Sequence, residues 1–310
     1  MQTVVITGGT GTIGKRLSAM LVVKGYRVII LSRKVQPSLP TDPISYAHWN
    51  VEDGIIDAQA IASADYIIHL AGAGVADGRW TVNRKLEIVQ SRTQSSELLV
   101  STLQGHPNRV KAVISSSATG WYGEDTPLTL ATGFNEDAKP ASDFLGDTCR
   151  LWEESIESVT SLGIRLVKLR TGIVLSNQGG AYTEFKKPLT AGLATIMGSG
   201  KQMVSWIHVD DVCRMYIHAM ESEALSGSYN AVAPNPVNNK TLIQTIAQKL
   251  NGPWYVPVHA PAFMLRLMLG EMSVEILKSV TVSASKIQAT GFNYVYSTIG
   301  VAVQALALEK

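Results

Sequence analysis

Residues Thr7-Gly8-Gly9-Thr10-Gly11-Thr12-Ile13-Gly14 constrain this chain more than any others. They join an apolar, β-branched run, Thr3–Thr7, to a helical pattern in which Leu17, Met20, Leu21 and Lys24 recur on one side. Gly25 follows as the C-terminal cap. Read from Gly8 the spacing is G-x-x-G-x-x-G, and read from Gly9 it is G-x-G-x-x-G. The physical demand is the same in both. One glycine makes the tight turn, one lets backbone approach a pyrophosphate, and one lets helix and strand pack closely. The helix then presents free N–H groups and the positive end of its dipole to the anion. A flexible glycine turn would not need a strand before it and a helix after it.

The second strand, Arg27–Ser32, runs into Arg33-Lys34. An NAD site usually places an acidic residue about 20 residues past the glycines, to accept the ribose 2′-OH. Here Arg33 stands 19 residues after Gly14, and no acid is adjacent. Arginine offers a forked donor to a 2′-phosphate. The expected cofactor is therefore NADP(H); the bland alternative is an ordinary exposed base at a strand end.

Further strands are expected at Ser45–Trp49, Tyr66–Leu70, Arg109–Ser115 and Arg165–Leu169. Several are apolar almost throughout, as in Val28-Ile29-Ile30-Leu31, which suits a parallel sheet covered on both faces. A long helix from Trp80 to Leu103 repeats Leu86, Val89, Val100 and Leu103 along one side. This alternation predicts an α/β fold, a doubly wound parallel (Rossmann) sheet with right-handed crossovers. Residues 1–175 read as the dinucleotide-binding domain, with a returning strand near 228–232. Residues 176–310 read as a smaller substrate lobe ending in a helical module. The glycine-rich stretch Ser176–Gly200 shows no strong strand, and Pro253, Pro257 and Pro261 break the chain before an apolar helix, Phe263–Leu269.

Other classes are disfavoured by charge and length of apolar runs. The net charge is +2 and no Lys/Arg run exceeds two residues, so no nucleic-acid footprint is present. No apolar stretch reaches 18 residues, so a membrane span is not expected. The start Met1-Gln2-Thr3-Val4 enters a strand pattern with no basic n-region, which predicts a cytoplasmic protein. Cys149 and Cys213 are too few for a disulfide framework or a zinc site, so no metal is expected. Charged residues are only 17%, and a surface this lightly charged suits a subunit interface; a homodimer is an expectation. The expected partner is a small-molecule substrate.

Four motifs resemble the extended short-chain dehydrogenase/reductase superfamily: residues 7–14, Asp65-Tyr66-Ile67-Ile68-His69-Leu70-Ala71-Gly72, Ser115-Ser116-Ser117-Ala118-Thr119, and Trp206-Ile207-His208-Val209-Asp210-Asp211. More narrowly, Gly78-Arg79-Trp80, Gly120-Trp121-Tyr122-Gly123, Gly198-Ser199-Gly200-Lys201-Gln202 and Asn230–Val237 are similar to the atypical "epimerase family" with a C-terminal domain of unknown function. The phrase Leu269-Gly270-Glu271-Met272 carries the same likeness. The resemblance implies that Gly8, Gly11, Thr12, Ile13 and Gly14 cradle the cofactor and that Ser32 and Arg33 hold its 2′-phosphate. It implies cofactor contacts from Leu70, Ala71, Glu87 and Arg92, and places Ile173 beside the nicotinamide. On spacing alone Glu87 and Arg92 read equally as a solvated helix face.

The superfamily's usual acid–base pair, Tyr-x-x-x-Lys, is absent. If Glu153 matches the family glutamate four residues past the lysine, Leu145 takes the tyrosine's place and Cys149 the lysine's. No tyrosine lies between Tyr122 and Tyr182. Ser117, at the end of the fifth strand, and Tyr122, in a glycine-flanked loop, are the replacement proton donors to be expected near the cleft. His208 is another titratable group, although the segment reads as structural with Asp210 capping a helix. The reading is an NADP(H)-dependent oxidoreductase or epimerase on an unknown carbonyl, hydroxyl or nucleotide-sugar substrate. The alternative is a non-catalytic NADP(H)-binding sensor or scaffold, favoured by the broken catalytic pattern.

Overall fold

A computed structural model describes residues 1–39 and 41–309. Eight strands form one sheet in the spatial order Gly227–Ala231, Arg165–Thr171, Ala112–Ala118, Tyr66–His69, Thr3–Thr7, Arg27–Ser32, Ile44–Asn50 and Ile55–Ile56. Every neighbouring pair is parallel except the last. Thr3–Thr7 lies at the centre and is wholly buried, as its continuous β-branched run requires.

Helices cover both faces. On one face Leu17 and Leu21 of the helix Thr12–Val23 pack with Val212, Tyr216 and Met220 of Val209–Glu221. On the other, Ile61, Leu99, Leu103 and Ile156 pack against Val5, Ile67 and Val113. The architecture is the doubly wound α/β sheet that the alternation of strands and helices implies.

Three local expectations are corrected. The fifth parallel strand is Ala112–Ala118, not Arg109–Ser115. Its Ser115-Ser116-Ser117 reads as polar, yet all three are buried, and Ser116 and Ser117 are bonded to Tyr216 and Glu153. In the long helix, Val82–Gly105, Leu86 is exposed; the inward side is Ile88, Arg92, Ser95, Ser96, Leu99 and Leu103. Buried hydroxyls on that side hide the helical period. The stretch after Ser176 does hold a strand, Leu193–Met197, paired in parallel with Val256–Ala260. Pro257 sits inside that partner, which is an edge strand and needs no amide from it.

The residues after 175 have a core of their own, where Trp206, Leu242 and Ile246 meet Ile299, Val303 and Leu306 of the last helix, Ile299–Leu308. The module before that helix is tied to the sheet domain. Asp125 accepts hydrogen bonds from Ser279 Oγ (2.8 Å), Thr281 N (3.0 Å) and Thr281 Oγ1 (2.9 Å). Buried Lys278 bridges Asp143 and Glu275, each at 3.0 Å. The lobe therefore stands over the carboxyl end of the sheet, where ligands of such folds bind. No helix among the described residues is long and apolar enough to cross a membrane.

Candidate functional site

Gly8 turns the chain at φ +68°, and a Cβ there would fall 2.8 Å from the Leu70 carbonyl. At Gly14 a Cβ would fall 2.5 Å from both the Gly8 oxygen and the Gly9 Cα. These two close approaches pin the loop against the neighbouring strand and its own helix. Gly11 differs: it is exposed, and a Cβ would meet only the Gly8 oxygen, at 3.4 Å. The loop thus keeps one bare, outward face. Behind it the helix Thr12–Val23 opens with no side-chain cap and no acidic residue in its first turn. Its first amides and dipole are left for an anion. Gly179, from the second lobe, comes alongside the first helical residue, a Cβ there falling 3.1 Å from Thr12 Oγ1.

The end of the strand Tyr66–His69 is knitted to the loop. Thr7 Oγ1 accepts from both Leu70 N and Ala71 N, each at 3.1 Å. The structure therefore brings Gly8, Gly11, Thr12, Ile13, Gly14, Leu70 and Ala71 together. Ser32 ends its strand two places away, after the parallel register Thr7↔Leu31. Exposed Arg33 follows it. Ile173 is exposed and lies just past Gly172, whose bare backbone packs on the Ser205 carbonyl.

Arg92 and Glu87 part company. Glu87 is exposed and pairs with Arg84 (2.7 Å), three residues away. Arg92 is 8% exposed and runs beneath Gly72, its Cγ and Cζ each 3.3 Å from the position of a Cβ there. Its guanidinium lies 4.9 Å from the Trp152 ring and donates to the Ile88 carbonyl (2.8 Å).

Leu145 and Cys149 share one face of the helix Phe144–Glu157. A Cβ on Gly120 would be 3.1 Å from Leu145 Cβ and 3.5 Å from Cys149 Sγ. Cys149 is buried, and burial pushes its thiol up to about 12, so it is neither a cation nor a ready thiolate.

Ser117 and Tyr122 do not open into the cleft. Ser117 is buried and donates to Glu153 Oε1 (2.7 Å). Tyr122 is fully buried and stacks on Phe134 at 5.1 Å. Its hydroxyl donates to Asn230 Oδ1 (2.5 Å) and accepts from Arg170 Nη1 (3.2 Å). Burial pushes it up to about 12. Arg170 completes the network, paired with Glu153 (Nε–Oε1, 2.8 Å) and lying 3.7 Å over the Trp121 ring. The glycines flanking Tyr122 fit it into a core of bonded polar groups, which spacing alone could not distinguish from a loop facing solvent.

His208, not Asp210, caps the helix Val209–Glu221, its Nδ1 accepting from Asp210 N (3.1 Å). Asp210 is engaged elsewhere, in a forked pair with Arg16 of the glycine-loop helix (2.5 and 2.8 Å). Two networks lack any clear spacing signal in the sequence: Arg170 with Glu153, and Thr7 with His69. Each joins residues far apart in the chain.

The family model described as the NAD-dependent epimerase/dehydratase family matches residues 4–232, and a domain of unknown function, DUF1731, matches 260–306. The epimerase family protein YfhF of Bacillus subtilis is 34% identical over 308 residues, 99% of this chain and 98% of that protein. Among solved structures, the human epimerase family protein SDR39U1, described with NADPH, superposes with a TM-score of 0.86 at 26% identity and full coverage of both chains. A nucleoside-diphosphate sugar epimerase from Corynebacterium glutamicum gives 0.77 at 28% identity, over 100% of this chain and 59% of that one.

Proposed function

Because this chain belongs to the NAD-dependent epimerase/dehydratase family, we propose that it is an NADP(H)-dependent oxidoreductase or epimerase acting at a carbonyl or hydroxyl carbon. The observation that carries this reading is the bare face at Gly11 in front of an uncapped helix. A pyrophosphate fits there because Gly11 is exposed and puts no side chain between the solvent and the helix amides. Ser32 and Arg33 would hold the 2′-phosphate, with Arg33 supplying the charge-assisted fork. Leu70 and Ala71 would line the cofactor's path, Ile173 would border the nicotinamide, and Glu87 and Arg92 would approach it from the long helix. The NADPH described with the human relative supports the phosphorylated cofactor. Bound there, a nicotinamide supplies hydride chemistry, and the chain's part is to orient the substrate and manage the proton.

Proton transfer is the step for which the chain has the fewest groups. Leu145 cannot exchange a proton, and Tyr122 is enclosed. Ser117 is the hydroxyl at the strand end, and its proton points at Glu153. This supports a second reading, a non-catalytic NADP(H) sensor. Titration with NADPH and NADH, read by nicotinamide fluorescence, followed by a broad carbonyl screen at the reduced-nicotinamide absorbance, separates them. NADPH binding with turnover supports the enzyme. Binding with no turnover on any carbonyl supports the sensor. No dinucleotide binding overturns both.

A further inference from the structure

Two neighbouring strands end where the cofactor reading places the chemistry. Ala118 pairs in parallel register with Thr171, so Thr119 and Gly120 leave one strand beside Gly172 and Ile173, which leave the other. Leu145 packs across Gly120, its Cβ 3.1 Å from where a Cβ there would fall. Leu145 is half-buried, and Ile173 is 40% exposed. Phe144, next to Leu145, meets the Trp80 ring edge to face at 4.8 Å. Trp80 follows Arg79, which donates to the Leu267 carbonyl (3.2 Å) of the helix Ala262–Leu269. That helix leaves Phe263, Leu267 and Met268 exposed. The side chains at this place, and those beyond it, are apolar.

Charge points the same way. Three cations against the helix Phe144–Glu157 are already paired: Arg170 with Glu153, Lys278 with Asp143, and Lys85, over the Phe144 ring, with Glu271. Arg92, against Trp152, is assigned above to the cofactor. None of the four is left for a diphosphate or a carboxylate. Proton donors are as scarce. Ser117 gives its proton to Glu153, and Tyr122 and Cys149 are enclosed. Thr119 is half-buried, and its hydroxyl makes no hydrogen bond to protein among the described residues. An alcohol is about as weak an acid as water, pKa about 15.7, so this hydroxyl can donate a hydrogen bond but is a poor source of a proton.

We propose that the substrate is a quinone, a flat apolar hydride acceptor, seated against Leu145 and Ile173 with Thr119 donating a hydrogen bond to one of its oxygens. This rests on the cofactor reading above. Reducing a simple ketone makes an alkoxide, the conjugate base of an acid as weak as water, so the step needs a proton as it happens. Reducing a quinone makes a phenolate, whose conjugate acid has a pKa of about 10, like tyrosine, and a hydrogen bond to it suffices. In all the quinone takes two electrons and two protons. Hydride, from the C–H bond broken on the reduced nicotinamide, forms one O–H bond. The electron pair displaced through the ring leaves the other oxygen as the phenolate. That oxygen, held by Thr119, takes its proton from water.

The probe is menadione. Equilibrium dialysis reads its binding to the protein saturated with NADP+, and reduced-nicotinamide absorbance, without oxygen, reads turnover above the rate without protein. Expected are saturable binding and NADPH oxidation at least about tenfold faster with menadione than with acetophenone. Thr119→Val lowers turnover about tenfold or more, the loss of one hydrogen bond to a charged oxygen, while NADPH affinity and urea unfolding stay as in the wild type. Thr119→Ser keeps most of the rate. Leu145→Asp, checked for folding by urea unfolding, loses menadione binding about tenfold or more. NADPH binding with no menadione reduction, or with acetophenone reduced as fast, overturns the quinone assignment and leaves the cofactor reading standing. Full turnover in Thr119→Val overturns the seat at that hydroxyl. If the wild type binds no NADPH, the cofactor reading fails, and menadione binding to the free protein, lost or kept in Leu145→Asp, decides for or against the seat.

Discussion

Thr7 Oγ1 lies 2.8 Å from Nδ1 of His69, and that contact fixes the state of the imidazole. The threonine oxygen already accepts from Leu70 N and Ala71 N, so its proton goes to Nδ1. The ring proton is then on Nε2, donated to Ser96 Oγ (3.2 Å) and Ser95 Oγ (3.3 Å). Both serines donate onward to the Arg92 carbonyl. A neutral histidine thus links the glycine loop to the buried arginine.

Burial lowers His69 from 6.5 to about 4, so the folded state holds it neutral where the unfolded chain would protonate it. The unfolded state binds more protons between those values, so stability falls as pH drops from 6.5 towards 4. The full loss from this group is about 3 kcal/mol. Urea unfolding at pH 7 and pH 4.5 should show it, and His69→Asn should flatten that part of the pH dependence. An unchanged slope in the variant would mean that the ring is not held neutral.

Gly11 and Gly14 should respond in opposite ways. Gly11→Val places its side chain on the bare face, so NADPH binding should fall at least tenfold while urea unfolding changes by less than about 1 kcal/mol. Gly14→Ala drives a methyl into the Gly8 oxygen and Gly9 Cα, so it should destabilise by about 1–3 kcal/mol. Normal NADPH binding by Gly11→Val would remove the cofactor from this loop.

How much of this could be read beforehand depends on the range of the signal. The glycine loop, the alternation and the apolar central strands are local patterns, and each leads to the observed sheet. Gly11, exposed in its loop, follows from the same local grammar, whereas Leu70 and Ala71, half-buried, are expected there only from the family resemblance. Tyr122 shows the limit. Its glycine neighbours look like a loop at the cleft, while its environment is set by Arg170 and Asn230, 48 and 108 residues away. Arg92 shows it too, since a solvated helix face and a buried guanidinium have the same spacing. Ser95 and Ser96 disguise that helix's inward side because a histidine from another strand satisfies them.

Arg33 should decide the cofactor. It is exposed at the end of its strand, free to meet a 2′-phosphate. A charge-assisted bond contributes about 1.5–3 kcal/mol, so NADPH should bind about tenfold or more tightly than NADH. Arg33→Ala should erase most of that difference and leave NADH affinity nearly unchanged. Equal wild-type affinities would sink the preference for the phosphorylated cofactor.

Tyr122 and Glu153 belong to one buried network, and their variants should fail by degrees. Tyr122→Phe keeps the ring on Phe134 but leaves Asn230 Oδ1 without its donor and Arg170 Nη1 with one acceptor fewer. An unsatisfied buried group costs about 1–3 kcal/mol, which is the loss expected in urea unfolding. Glu153→Gln removes the charge that faces Arg170 and accepts from Ser117 and Ser228. Breaking a buried ion pair from one side costs about 3–5 kcal/mol, so this variant should be the less stable of the two. NADPH affinity should be unchanged in Tyr122→Phe, because the tyrosine has no exposed surface to offer a ligand. If Tyr122→Phe instead keeps full stability and loses turnover about a hundredfold on a substrate the wild type reduces, the tyrosine takes part in the chemistry and the enclosed position described above opens during the reaction.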